Sequence, residues 1–454
     1  MVDVKIGLEI HGYLKMSDTK KKLFCNCDIK DTDYNLNTCP VCTGQPGTKT
    51  MLPNKEAIKK IITCALMMNC KVNKRLLFQR KHYSWPDLPN GYQKTISGAY
   101  SHPVGVNGNF LDIGIEECHL EEDPARWDPI TGKVDYNRSG FPLIEIVTKP
   151  DFKDSEQVRT WMKKLFTSLG YIDALDPDAG FKSDVNVSIE PKFLRTEIKN
   201  VNSLTGIKEA IEYEISRLKE EPNESMQTRT WDDISKTTKF MRKKESATEY
   251  MFIPEPDLPI INIQQADIDA IEITLPEKPE EKIKKFIKMG AKEEDAKILA
   301  QEIKLAVMFE KVAKIIQPEL AGKWLRRELL RVLNYNDKTI DEIALDERHM
   351  IELLELVRDK IITDTTAQRI LNLLVEKEFS PKEYVKKEGL GAISGEDDLM
   401  ILCQEAVKEN PGAVDDYKKG EEKSFNFLVG QVMRKTKGKA SPDVVNKLLK
   451  GILK

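Results

Sequence analysis

Apolar and polar residues alternate with a period of two in four stretches of the first half of the chain: Val4–His11, Phe110–Ile115, Leu143–Val147 and Asp184–Ile189. That period sends successive side chains to opposite faces, so each stretch predicts a strand. Between them the period lengthens to that of a helix. Asn54 can cap a helix that buries Ile58, Ile61, Ile62, Ala65 and Leu66. Asp154 or Ser155 opens a second, with Val158, Trp161, Met162, Leu165 and Leu169 on one side and Gly170 as its stop. Ser203 precedes a third, carrying Ile207, Ala210, Ile211, Ile215 and Leu218. Interleaved strands and helices of this kind predict a single α+β domain with a mixed or antiparallel sheet over residues 1–275.

A proline-rich passage, Pro254 to Pro259 and then Pro276 and Pro279, interrupts regular structure and sets a boundary near 275. Residues 276–393 read as a helical domain, rich in Lys and Glu, ending in the glycine-rich turn Gly389–Gly395. Residues 394–454 read as a second, smaller helical domain. Ser394 with Asp397 forms a capping-box pattern at its start, and Ser441-Pro442 opens its last helix. The expected class is therefore an α+β domain followed by two all-α domains.

The length of 454 residues agrees with about three domains at about 150 residues each. Charged residues make up 32% and hydrophobic ones 40%, which excludes a disordered chain. No window approaches the roughly 18 apolar residues of a membrane span, and the first residues lack a secretory signal, so a cytoplasmic protein with no membrane partner is expected. The net charge of -3 argues against a wholly basic nucleic-acid binder. From residue 434 onward, however, Arg434, Lys435, Lys437, Lys439, Lys447, Lys450 and Lys454 face Asp443 alone. That run is a local basic patch.

Cys25, Cys27, Cys39 and Cys42 crowd into a short, turn-rich loop. Two close thiol pairs can close a tetrahedral four-sulfur zinc site, and four sulfurs leave no open position, so such a site is structural. Cys64, Cys70, Cys118 and Cys403 are scattered and expected to be buried. His349, within a helical stretch, reads as a packing or surface residue.

Three distant segments also offer hard oxygen ligands. Glu9 and His11 share one strand face, Asp184 and Asn186 share another, and His119, Glu121, Glu122 and Asp123 run together. Spacing leaves two readings open: a shared site for a hard cation such as Mg²⁺, or three solvent-facing strands whose polar groups never meet. Arg80-Lys81-His82-Tyr83, followed by Trp85 and Tyr92-Gln93, mixes cations with aromatics. Such a mixture suits phosphate contact and base stacking, or simply packing beside proline turns. The chain has no P-loop, no Gly-x-Ser-x-Gly elbow and no His-Glu-x-x-His pair, which excludes the commonest nucleotide-hydrolase, esterase and metalloprotease designs.

Taken together, Gly7–His11, Arg80–Tyr83 with Tyr92-Gln93, His119–Asp123, Asn137–Val147, Lys199–Ser203 and Pro254–Pro259 resemble the GatB family, one of the component families of the tRNA-dependent amidotransferases. Phe427–Met433 with Lys437-Gly438 is similar to the family's C-terminal YqeY-like module. The chain is too short for the insertion of the related archaeal GatE family. The resemblance implies a cradle-like catalytic domain, ATP and Mg²⁺ as cofactors, and an amidase partner, GatA, with a small third component, GatC. It also implies the reaction: the side-chain carboxylate of mischarged Asp-tRNA(Asn) or Glu-tRNA(Gln) is phosphorylated, and ammonia then displaces the phosphate.

Carried onto this sequence, the resemblance makes Glu9, His11, Glu121, Glu122 and Asp184 the expected Mg²⁺ ligands; the charge of Lys81, Arg138 and Lys199 makes these three the expected phosphate or tRNA-end contacts. Tyr83, Tyr92 and Gln93 are expected to line the site or an ammonia route. The basic helices after residue 396 are expected to hold tRNA by its backbone. The rival class is a zinc-stabilised RNA scaffold without chemistry, and convergence of the acidic segments distinguishes the two.

Overall fold

The computed structural model describes residues 3–30, 32–176, 180–243, 250–391, 396–436 and 438–453. They fall into two compact units that divide between Lys278 and Pro279.

The strands of the first unit begin with β1 (Val4–Tyr13), β2 (Lys71–Val72), β3 (Arg75–Leu76), β4 (Gln79–His82), β5 (Tyr92–Thr95) and β6 (Gly105–Phe110). Next come β7 (Ile113–Glu122), β8 (Arg126–Trp127), β9 (Val134–Asp135), β10 (Pro142–Thr148) and β11 (Phe181–Ile189). The last are β12 (Thr196–Val201), β13 (Gln227–Asp232), β14 (Thr237–Lys243), β15 (Met251–Pro254) and β16 (Ile261–Asn262). Twelve of them share one sheet in the order β14-β13-β12-β11-β1-β10-β7-β5-β4-β15, with β6 and β2 branching from β7. Its pairs are antiparallel except β12 with β13. The unit is the expected α+β domain with a mixed sheet.

One sheet face is apolar and covered. Ile6, Leu8 and Ile10 of β1, Leu120 of β7, Ile144 and Ile146 of β10, and Val185 and Val187 of β11 form one core with the short helix Gln265–Ile273 and three longer helices. These are α1 (Lys55–Met67), α2 (Ser155–Tyr171) and α3 (Leu204–Glu220). Their N-caps are those the sequence predicts: Asn54 accepts from the Glu56 amide, Asp154 from Gln157 and Ser203 from Gly206. Each cap satisfies an amide that the first turn leaves free. Trp161 of α2 anchors the seam. Its Nε1 donates to the Phe110 carbonyl at 2.9 Å, and its ring meets Phe110 and Phe152 edge-on.

Two expectations change. Phe110–Ile115 is not one strand but the tip of the β6–β7 hairpin, where Leu111 takes a positive φ of 55°. The alternation runs on through the turn because both flanking strands bury the same face, and no Gly or Asn stands at the bend to mark it. Gly170 does not stop α2, which ends at Tyr171 with Ile172 as its cap.

The second unit is helical throughout its described residues, from Pro279–Met289 to Pro442–Leu453. Its buried residues make two separate cores. One runs from Phe286 to Val385 and centres on Phe309, Trp324, Leu325 and Leu371. The other joins Leu399, Cys403, Leu428, Val432, Val445 and Leu449. His349 lies buried in the first of these, where its Nδ1 accepts from the Asp346 amide as half of a capping box. The Ser394–Asp397 capping pattern and the end of the 389–395 turn involve residues 392–395, outside the described residues. No helix of the described residues is long and apolar enough to cross a membrane. Cys64, Cys70, Cys118 and Cys403 are all buried, as their scattered placement predicts.

β6 approaches α1 closely because Gly105 carries no side chain. A Cβ there would lie 2.7 Å from the Ala65 Cβ and 2.9 Å from the Cys118 sulfur. Gly105→Ala is therefore expected to destabilise the first unit by about 1–3 kcal/mol, read as a lowered midpoint in denaturant unfolding.

Candidate functional site

The other face of the sheet is polar, and strand register decides which of its side chains meet. Glu9 of β1 stands opposite Asp184 of β11, and His11 opposite Glu145 of β10. Glu145 in turn stands opposite His119 of β7. These positions share one face because side chains alternate along each strand and the pairing is in register. Two ligand groups result, His11–Glu121–Glu145 and Glu9–Asp184–Glu197, each with its ligand atoms within 4.8 Å of one another.

In the first group the His11 Nδ1 lies 3.5 Å from Glu121 and 3.9 Å from Glu145. Behind it, His119 bridges Glu145 at 3.1 Å and Glu117 at 3.0 Å, and Ser97 donates to Glu117. In the second group Asn186 donates to Glu9 at 3.1 Å. Lys199 reaches Asp184 at 2.7 Å and Glu197 at 3.5 Å. Lys81 of β4 projects toward this face and lies 4.6 Å from the Tyr250 ring.

Crowding of like charges shows in the proton affinities. Burial, and then repulsion from Glu145, Asp184 and Glu197, raises the pKa of Glu9. Burial works against a charged His11, but Glu145 and Glu121 outweigh it and lift its pKa to about 9. His119 rises to about 10 against the same burial penalty, through Glu145 and Glu117. Burial opposes ionisation of Glu145 too, yet the two histidines hold its pKa far below the usual carboxylate range. For Lys81 and Lys199, burial is outweighed by neighbouring carboxylates, and both pKa values rise. The face is an anionic basin compensated at its edges by fixed cations.

Of the five acidic and histidine positions expected to share a metal, the sheet brings four to this face: Glu9, His11, Glu121 and Asp184. Glu122 departs from that expectation. It follows Glu121 in the strand and so points the other way, where Lys94 takes its carboxylate at 2.8 and 3.1 Å. Glu145 and Glu197 stand where the sequence pattern predicts no ligand. Glu145 had a visible signal, a lone charge between apolar neighbours in Leu143–Val147. Glu197 had none, since its role depends on β12 pairing with β11.

Not all of the remaining residues lie on the basin's side of the sheet. Arg138 is held by Asp123 at 3.0 and 3.1 Å, over the Tyr13 ring, and Tyr13 also donates to Asp123. Tyr83 meets Tyr250 edge-on and helps line an open cavity of about 550 Å³ with His82, Trp85 and Met251. Tyr92 belongs to the opposite face, stacked beneath Arg80, whose guanidinium grips Glu255 through two bonds. Gln93 is buried and donates to the Glu122 carbonyl.

Cys25, Cys27, Cys39 and Cys42 form a third ligand group, also with sulfurs within 4.8 Å. The Cys39 amide donates to the Cys42 sulfur at 3.1 Å. A hydrogen bond from Cys25 lowers the Cys42 pKa to about 5, and the same bond raises that of Cys25.

Such a sheet, with paired acidic groups on one face and a separate thiol cluster, offers three sets of side chains that could each hold a metal ion. A family model described as the GatB/GatE catalytic domain matches residues 4–269, and one described as the GatB domain matches residues 307–453. The chain belongs to the GatB/GatE family. It is 44% identical to a Methanocaldococcus jannaschii protein named as a component of the aspartyl/glutamyl-tRNA(Asn/Gln) amidotransferase, over 99% of this chain and 98% of that one. Proteins of the same name from Methanococcus maripaludis and Methanopyrus kandleri are each 42% identical, over the same shares.

The geometry separates two glutamates on adjoining strands. Glu145→Gln is expected to weaken Mn²⁺ binding at least about tenfold, equivalent to about 1.4 kcal/mol, whereas Glu122→Gln leaves it unchanged. Titration of free Mn²⁺ by electron paramagnetic resonance reads both.

Proposed function

We propose that this protein is the kinase and transamidase component of an amidotransferase that converts mischarged Asp-tRNA(Asn) or Glu-tRNA(Gln) to the amide. It works in the cytoplasm with an amidase, GatA, and a small third component, GatC. The observation that carries this reading is the convergence of Glu9, His11, Glu121, Glu145, Asp184 and Glu197 on one sheet face. The membership in the GatB/GatE family supports it.

The donor set fits Mg²⁺. It is rich in carboxylate oxygens, and two buried oxygens on the same face, Glu121 Oε2 and Asn186 Oδ1, have no hydrogen-bond partner among the described residues. Bound there, Mg²⁺ supplies positive charge against the oxygens of ATP. The protein's own residues do the rest by position. Lys81, Lys199 and Arg138, ringed by the Asp and Glu partners described above, neutralise phosphate or the acceptor end of the tRNA. Tyr83 and Gln93 line the approach to the basin or the route for ammonia, and Tyr92, on the opposite face of the sheet, supports Arg80.

The chemistry explains why positioning suffices. A side-chain carboxylate resists amidation because its leaving group is oxide. Its oxygen attacks the γ-phosphorus of ATP, the bond to ADP breaks, and the resulting acyl phosphate loses phosphate when ammonia adds to its carbonyl carbon. Phosphoryl transfer of this kind demands alignment and charge neutralisation more than covalent help.

The four cysteines fit a structural zinc ion. All four sulfurs meet, and thiolates are the donors this ion prefers. The helices after residue 396 hold tRNA through its backbone.

Reconstitution with the amidase tests the catalytic reading. Glu145→Ala and Glu9→Ala are expected to cut ATP-dependent amide formation on both mischarged tRNAs by about 10²-fold or more, with tRNA affinity changed less than about twofold. Variants that amidate at the unaltered rate leave only a scaffold role. Removal of residues 396–454 is expected to weaken tRNA binding and flatten its dependence on salt, measured by filter binding across a salt series.

A further inference from the structure

Lys22 is 1% exposed, among the most deeply buried side chains of the chain, and it is a lysine. Its Nζ group has three protons to donate, and the structure supplies three acceptors. These are the Asn37 carbonyl at 3.3 Å, the Tyr136 carbonyl at 3.3 Å and the Cys42 sulfur at 3.6 Å. The Phe141 ring lies 5.7 Å away. A buried lysine is costly unless an anion compensates it, and no carboxylate stands among these partners. The sulfur cluster is the compensating group. Four thiolates around one divalent ion carry two net negative charges, and a lysine cation touching one sulfur offsets half of them.

The same three bonds span two segments. The loop before Cys39 and the stretch before Arg138 are stitched by further contacts: Asn37 N to Asn137 Oδ1 at 2.9 Å, Asn137 Nδ2 to the Asp33 carbonyl at 2.7 Å, Asn35 Nδ2 to the Val134 carbonyl at 3.0 Å, and Tyr136 N to Asn35 Oδ1 at 2.7 Å. Arg138, two residues beyond Tyr136, faces Asp123 at the edge of the acidic basin.

We propose that Lys22 is a positioning residue that neutralises the four-sulfur metal site from inside the protein and couples that site to the segment placing Arg138. The inference rests on the zinc reading above. It makes the metal loop a support for one wall of the active site, and Lys22 the joint between them.

The test uses the full chain carrying Lys22→Met, which keeps the bulk but removes charge and donors, and Lys22→Arg, which keeps both. Zinc affinity is measured by competition with a chromophoric chelator, and amide hydrogen exchange is followed over residues 134–140. Lys22→Met is expected to bind zinc about 10–100-fold more weakly, the usual cost of losing a group that supports metal ligands. It is also expected to exchange faster over 134–140, as is the wild-type chain stripped of zinc, while Lys22→Arg retains affinity within a few-fold. Unchanged zinc affinity in Lys22→Met overturns the proposal. Where Lys22→Met does not fold, Lys22→Gln, neutral but still a donor, decides the same question by the same two measurements. A wild-type chain that binds no zinc at all removes the metal reading itself, and the role of Lys22 with it.

Discussion

Repulsion between carboxylates is the constraint on which the candidate site depends. Five carboxylates on neighbouring strands of one sheet face, Glu9, Glu121, Glu145, Asp184 and Glu197, cannot all ionise in a desolvated setting without cations. Fixed cations answer part of that demand: Lys199 lies against Asp184 and Glu197, and protonated His119 is wedged between Glu117 and Glu145. The orphaned oxygens of Glu121 and Asn186 mark what remains unanswered. A basin left short of positive charge can accept a metal ion.

The sheet can tolerate this because its two faces are held apart by strand alternation. Helices α1, α2 and α3 cover one face with an apolar core, and that core defines the register of β1, β10 and β11. A slip of one residue would bury Glu9 and His11 and expose Ile6, Leu8 and Ile10. The hydrophobic contacts on the covered face therefore hold the carboxylates on the other within ligand distance. Stability and chemistry share the same strands.

Support from the flanks follows a different logic. Around the cysteine loop little apolar material is available, and order comes from polar bonds: Asn35, Asn37 and Asn137 exchange side-chain and backbone hydrogen bonds across about a hundred residues of sequence. Arg80 is fixed in a similar way by Glu255, from the proline-rich passage that the sequence pattern marks only as a boundary and a family trait. In both places a charged or polar residue at the rim is secured by a segment far away in the chain.

Much of the fold is legible in the sequence because its signals are local. Periodicity identifies β1, β10 and β11, caps identify the starts of α1, α2 and α3, and thiol spacing identifies the cysteine cluster. The hairpin at Leu111 escapes because its turn uses a residue type that rarely adopts a positive φ. What the amino-acid order determined by itself was which residues alternate, where helices start, and which side chains are capable of ligation. Only the tertiary structure decided that Glu145 and Glu197 share the polar face with Glu9, His11, Glu121 and Asp184, and that Glu122 points away from it to Lys94. That choice depends on which strand lies beside which, and strand pairing is a long-range arrangement with no signature in neighbouring residues.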